Sequence, residues 1–86
     1  MTLREQLAEV NPDLLLLDEE KFDEAIIGIV FGNNGPIATY DCNKIIDILN
    51  QDMSYEEAAE YYSFNIEGAY VGEQTPIYVT LLKDIL

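Results

Sequence analysis

"FDEAIIGIVFGNNGPIATYD", Phe22 to Asp41, is the stretch on which the fold turns. Phe22, Ala25, Ile26, Ile29 and Val30 follow the i, i+3, i+4, i+7, i+8 spacing that lines one face of an amphipathic helix. The spacing predicts a helix over about residues 22–31. Gly28 lies inside it, at a cost of about 1 kcal/mol relative to Ala, a cost that close packing would justify. "GNNGP", Gly32 to Pro36, predicts the end of that helix and a turn. "IATY", Ile37 to Tyr40, then reads as a strand, and Asp41 as the cap of the next helix.

Upstream, Thr2 and Glu5 form a capping-box pattern, so a helix over about 3–10 is predicted, with Leu3, Leu7 and Val10 on one face. Asn11-Pro12 stops it. Leu14 to Leu17 is too short for a helix of its own and reads as a buried strand. A helical crossover from 14–17 to 37–40 favours parallel pairing of those strands. Downstream, Cys42, Ile45, Ile46 and Leu49 predict a helix over about 42–50. Ser54 and Glu57 form a second capping box. Tyr55, Ala58, Ala59, Tyr62, Ile66, Ala69 and Tyr70 keep helical spacing behind it. Gly68 or Gly72 ends that helix, predicted over about 55–67. "PIYVTLL", Pro76 to Leu82, reads as the last strand, with Pro76 at its first position. The expected class is α+β in a single domain spanning 1–86. A small two- or three-stranded sheet (about 14–17, 37–40 and 77–81) is covered by helices (about 3–10, 22–31, 42–50 and 55–67). An all-helical arrangement, with the leucine run absorbed into a helix, is the alternative.

The charge is the outlying property of these 86 residues: 17 acids against 4 bases leave −13. It is uneven. Residues 1–24 carry eight acids and two bases, and residues 52–73 carry six acids and no base, so each block sums to −6. The stretch between them sums to −1 and the C-terminal stretch to zero. Nucleic acid and anionic membrane surfaces are repelled by such a chain, and its natural partner is basic. Solubility asks for a net charge of only ~2–8 in a small domain.

Catalytic chemistry finds little to work with. There is no histidine, so neither a Ser-His-Asp nor a Cys-His arrangement can form within one chain. A paired-carboxylate hydrolase needs a cleft that so small a domain has little room for. The chain therefore reads as a non-enzyme with no cofactor. The single Cys42 excludes an internal disulfide and a thiolate zinc cluster; it suits a reducing cytoplasm and reads as a small buried apolar residue rather than a reactive thiol. "DEEKFDE", Asp18 to Glu24, is dense in oxygen ligands for calcium or magnesium. It lacks the alternating pattern of an EF-hand loop, and a solvated loop is the plainer reading. "GNNGP" lacks the spacing and the lysine of a phosphate loop. No apolar run approaches the ~20 residues of a membrane span, and "MTLREQLAEV" reads as a capped helix, not a signal peptide.

Tyr61 and Phe64 sit off the stripe of the 55–67 helix, with Glu57 on their side and Glu60 adjacent. Three readings stay open for them: core under a second layer, a homodimer seam, or an exposed patch rimmed by carboxylates that selects a basic partner. The candidate partner-binding residues are Glu56, Glu57, Glu60, Tyr61, Phe64, Glu67 and Glu73, together with Asp18, Glu19, Glu20, Asp23 and Glu24.

"NPDLLLLDEEKFDEAIIGI" and "IATYDCNKIIDILNQDMSYEEAAEYYSFNIEGAYVGEQTPIYV", with the spacing between them, resemble a family of small acidic proteins of tailed bacteriophages. The resemblance covers about residues 11–80 and is most specific over Met53 to Val79. Family members usually have a shorter, glycine-containing loop where "DEEK", Asp18 to Lys21, stands here. No catalytic or binding residue defined for the family can be carried over. The resemblance implies a phage-encoded protein of the host bacterial cytoplasm that binds a basic host protein. It would act as an inhibitor or nucleic-acid mimic against a restriction or CRISPR-type defence or another nucleic-acid enzyme. Two other readings remain. One is a non-catalytic, self-associating structural or housekeeping protein, a homodimer through Tyr61 and Phe64. The other is a carboxylate-bound divalent-metal protein.

Overall fold

The computed structural model describes residues 2–33 and 35–86; Met1, and Asn34 of the expected "GNNGP" turn, lie outside the described residues. The elements run α1 (Leu3–Val10), a 3-10 helix (Glu20–Ala25), β1 (Ile26–Gly32), β2 (Gly35–Asp41), α2 (Cys42–Leu49), α3 (Tyr55–Tyr61) continued by a π-helical segment (Tyr62–Glu67), β3 (Ile77–Val79) and α4 (Leu82–Ile85). The class is α+β, with a three-stranded mixed sheet in the order β1-β2-β3.

The helix expected over 22–31 is corrected. Phe22 and Ala25 do reach the core, but from the 3-10 helix, and the chain turns to strand at Ile26. Ile26, Ile27, Ile29 and Val30 are β-branched and fit a pleated surface better than a helix. β1 and β2 form an antiparallel hairpin, Ile26 opposite Tyr40 and Gly32 opposite Gly35. A register shift between Ile26 and Gly28 makes a bulge with Ile27 as the extra residue. The bulge imitates helical spacing, because it returns Ile29 to the face of Ile26 after three residues instead of two or four. Gly28 is not a close-packing site: a Cβ there would meet nothing within 4 Å.

The strand expected over 14–17 is also corrected. Leucine is a weak strand former, and this segment pairs with no strand. Leu14, Leu16 and Leu17 still pack against the core. Side chains satisfy its backbone instead: Leu17 N–H donates to the Tyr40 hydroxyl at 2.9 Å, and Leu17 C=O accepts from Arg4 Nη2 at 2.6 Å. The parallel partner of β2 is therefore β3, with Thr39 opposite Ile77 and Asp41 opposite Val79. The α2–α3 segment forms the crossover between them. β3 ends at Val79, short of the predicted 81, and a short helix follows. Pro76 is buried one residue before β3 instead of opening it.

The core gathers on α2. Ile45, Ile46, Ile48 and Leu49 meet Phe22, Ala25, Ala38, Tyr40, Ala58, Tyr62 and Ile66. Asp41 caps α2 by accepting from the N–H groups of Asn43 and Lys44, as its position predicted. Thr2 and Glu5 make the full capping box of α1. Ser54 Oγ accepts from Glu57 N–H at the start of α3 and donates to Glu57 Oε1. Tyr55 and Tyr70, expected on the buried stripe of this helix, are exposed. The stripe narrows to Ala58, Tyr62 and Ile66, spaced by four residues; Tyr55 opens α3 on its exposed side, and Tyr70 lies beyond the end of the π-helical segment at Glu67.

Candidate functional site

The π-helical segment positions the candidate site. It buries Tyr62 and Ile66 and leaves Ser63, Phe64 and Asn65 outside. Its end is tight at Gly68, where a Cβ would stand 3.1 Å from the Ser63 carbonyl oxygen. Phe64 is 80% exposed and Tyr61 39% exposed, so on a single chain Phe64 is surface, not core. Between them runs an open groove lined by Met53, Glu57, Glu60, Tyr61, Phe64 and Asn65.

Tyr61 and Asn65 also wall a second hollow, with Leu17, Asp18, Glu19 and Phe22 on its other side. Asp18 and Leu17 continue into a third, an apolar cleft of about 420 Å³ between Leu15–Asp18, the end of the π-helical segment, and Val71, Thr75, Pro76 and Tyr78. The three hollows share Asn65. One continuous surface thus carries Asp18 and Glu19 from the first acidic block and Glu57 and Glu60 from the second, around Tyr61 and Phe64.

Other predicted residues lie apart from it. Asp23 is spoken for: Arg4 holds it with Nη2 at 2.8 Å and Nε at 3.1 Å, and only 16% of its side chain is exposed. Asp23 is therefore withdrawn as a partner contact. Glu24 lies 3.8 Å from Lys44, and Glu19 lies 3.3 Å from Lys21; both are exposed pairs, which contribute little. Glu20, Glu56, Glu67 and Glu73 are exposed but line none of the three hollows. Among the described residues, these three ion pairs leave fourteen of the seventeen acids without a cation.

Arg4 was not singled out by the sequence, yet it latches the site. Through Asp23 and Leu17 C=O it ties α1 and the Leu14–Leu17 segment to the body, and its hydrogen bond to Asp23 raises its pKa. Asn65 was missed as well; the available signal was its place four residues beyond Tyr61, one turn along the same helix.

Beneath this surface lie three tyrosines. Tyr78 packs 5.7 Å from the Tyr40 ring and edge-on, at 88°, to Tyr62. Burial pushes the Tyr78 phenol up to about 12 and raises that of Tyr40. Tyr62 rises furthest, through burial first and the nearby Glu67 carboxylate second. Its hydroxyl is buried without a hydrogen bond of ordinary geometry. All three rings are neutral near pH 7; they pack against one another, and the Tyr40 hydroxyl also accepts from Leu17 N–H.

Among the described residues, no three His, Cys, Asp or Glu side chains are grouped to hold a metal ion. Cys42 is half-buried against the core, its sulfur 3.2 Å from Thr80 Oγ1. No helix among the described residues is long and apolar enough to cross a membrane.

No protein-family model matches the chain, and no solved structure matches it. Over 72 residues, 83% of its length, the chain is 35% identical to the cell shape-determining protein MreC of Haemophilus influenzae. The match takes in 20% of that protein, so the chain spans about a fifth of its length.

Proposed function

We propose that this chain is a non-catalytic binding module that captures a basic protein through the surface around Tyr61 and Phe64. The observation that supports it is the convergence of Asp18 and Glu19 with Glu57 and Glu60 on one aromatic surface. Aromatic rings supply contact area at low entropic cost, and the carboxylates select positive charge and speed the encounter. The resemblance to small acidic proteins of tailed phages directs the proposal further. The partner is a host nucleic-acid enzyme or a restriction or CRISPR-type complex in the bacterial cytoplasm, and the carboxylates stand in for phosphates in its basic cleft.

The test is a tagged pull-down from nuclease-treated host lysate, washed at rising salt and read by mass spectrometry. One stoichiometric basic protein, released as salt rises, is expected. Glu57→Gln with Glu60→Gln should weaken its binding about tenfold or more. Unchanged affinity in the double variant would move the site elsewhere, and an empty lane would remove the proposal.

A second reading has one observation in its favour, the 35% identity to a segment of a cell shape-determining protein. On this reading the chain is a structural module of cell-shape maintenance. The same pull-down decides between the two: recovery of shape-maintenance proteins in place of a basic nucleic-acid enzyme would favour the second.

A further inference from the structure

We infer that the outer edge of β1 is a pairing surface for a second copy of this chain, joined antiparallel about a twofold axis. β1 is the edge strand of the sheet and runs seven residues, Ile26–Gly32. Its exposed side chains include Ile27, Val30 and Phe31, the last 73% exposed. Pro36 stands opposite Phe31. A proline has no N–H to give its neighbour, which suits the cross-strand pairs that exchange no hydrogen bond. At such a pair the N–H and C=O groups of Phe31 turn to the open side, and those of Ile29 do the same two residues earlier. An unpaired row of backbone groups is a template for another strand.

Two devices that usually guard an edge, charge and proline, are missing here. The bulge at Ile27 protects only the first part of the strand, leaving Gly28 to Gly32 regular. The opposite edge is guarded: β3 has three residues and follows directly on Pro76.

Charge selects the occupant. Ala25 to Tyr40 contains no charged residue at all, in a chain of net charge −13. A basic partner finds no carboxylate to pair with along this strand. A second copy meets an identical strand that carries no charge from Ile26 to Gly32. This seam is separate from the Tyr61–Phe64 surface and does not depend on what binds there.

The test is sedimentation velocity of the purified chain from ~1 µM to ~1 mM, at low and at high salt. A species of twice the 9.8 kDa chain mass is expected to grow with concentration. Added salt should strengthen it, by screening repulsion between two copies of like charge. Salt has the opposite effect on a basic partner, so the two readings stand or fall separately. Phe31→Lys should weaken the dimer about tenfold or more by placing a charge on the edge, although it makes the overall charge of each copy less negative. Ile29→Pro removes an outward N–H and should do the same, and if it does not fold, the exposed Phe31→Lys decides. A 9.8 kDa species at every concentration overturns the inference. So does a dimer that survives Phe31→Lys and is lost in Phe64→Ala.

Discussion

Phe64 and Phe31 are almost equally exposed, 80% and 73%, yet they sit in opposite electrostatic settings. Phe64 shares its groove with Glu57 and Glu60 and lies one hollow away from Asp18 and Glu19. Phe31 lies on a strand without a charge, in a hairpin whose charge is confined to Asp41 at the far end of β2. Exposed apolar area makes both candidates for a contact, but it does not say for what. Charge makes the distinction. On the proposed reading the first surface attracts unlike charge, and that attraction should fade as salt screens it. The second offers no charge for a partner to pair with, and salt should help a second copy to join it by screening the −13 of each chain.

Both surfaces hang on one core, and the largest expected effect tests that premise. Ile45 is fully buried on α2, at the centre of the cluster that includes Ala38 of the hairpin and Ala58 of α3. Ile45→Ala should cost about 2–5 kcal/mol through lost burial and the cavity left behind. In a urea titration, β-sheet circular dichroism and tyrosine fluorescence should lose stability together. If the hairpin signal alone survived, the two surfaces would belong to separately folding parts.

Alkaline pH should come next, acting on the rings beneath the acidic surface. Tyr40, Tyr62 and Tyr78 all have raised pKa values, with burial as the main cause. A phenol of raised pKa stabilises the fold fully below its unfolded value near 10 and loses that contribution as pH climbs through the folded value. For Tyr78 the window runs from about 10 to about 12. The urea midpoint should therefore fall steadily above pH 10, and the phenolate absorbance of these rings should appear late or only with unfolding. A midpoint flat to pH 12 would show that these rings are not buried as described.

Arg4 separates the two surfaces more finely. Its guanidinium holds Asp23 and Leu17 C=O, next to Asp18 and Glu19, and makes no hydrogen bond to the hairpin strands. Arg4→Met keeps the aliphatic length and removes the fork, leaving a half-buried carboxylate without its partner. The cost should be about 1–3 kcal/mol. Hydrogen exchange should speed up in α1 and residues 14–18 and stay slow in β2. Uniform loss of protection would mean that the latch supports the whole fold instead of one side of it.

The sequence was legible where local chemistry and tertiary packing agree. Thr2, Asp41 and Ser54 cap the helices predicted from them, and of the apolar stripe of α2, Ile45, Ile46 and Leu49 are buried as the spacing required while Cys42 is half-buried. Legibility failed where one pattern admits two periods. In Phe22 to Val30, a 3-10 helix followed by a bulged strand spaces its inward residues as a helix would, and only the β-branched content of Ile26 to Val30 argued otherwise. Leu14 to Leu17 shows a different failure. It is buried, but its backbone is satisfied by the Tyr40 hydroxyl and by Arg4, side chains 23 and 13 residues away that no local window contains. The acidic surface was half legible: Tyr61, Phe64, Glu57 and Glu60 lie within one helix and could be placed from spacing. That Asp18 and Glu19 join them depends on how the Leu14–Leu17 segment crosses to the 3-10 helix, which is a tertiary fact.

The smallest expected effect bears on Phe22 to Val30, and so on the neutral surface itself. Gly28 has no positive φ, and open space surrounds the position of a Cβ. Replacement should therefore stabilise slightly, by about 0.4–1 kcal/mol, because the unfolded chain loses freedom while the folded chain gains no clash. The identity of the better replacement carries the information. In a helix, Ala outranks Val; on a pleated strand, Val outranks Ala. Gly28→Val should thus reach a higher urea midpoint than Gly28→Ala, the gap being about 0.5 kcal/mol or less. The reverse order would return residues 22–31 to a helix. It would erase the open edge of β1 and with it the proposed seam, leaving the proposal for the acidic surface untouched.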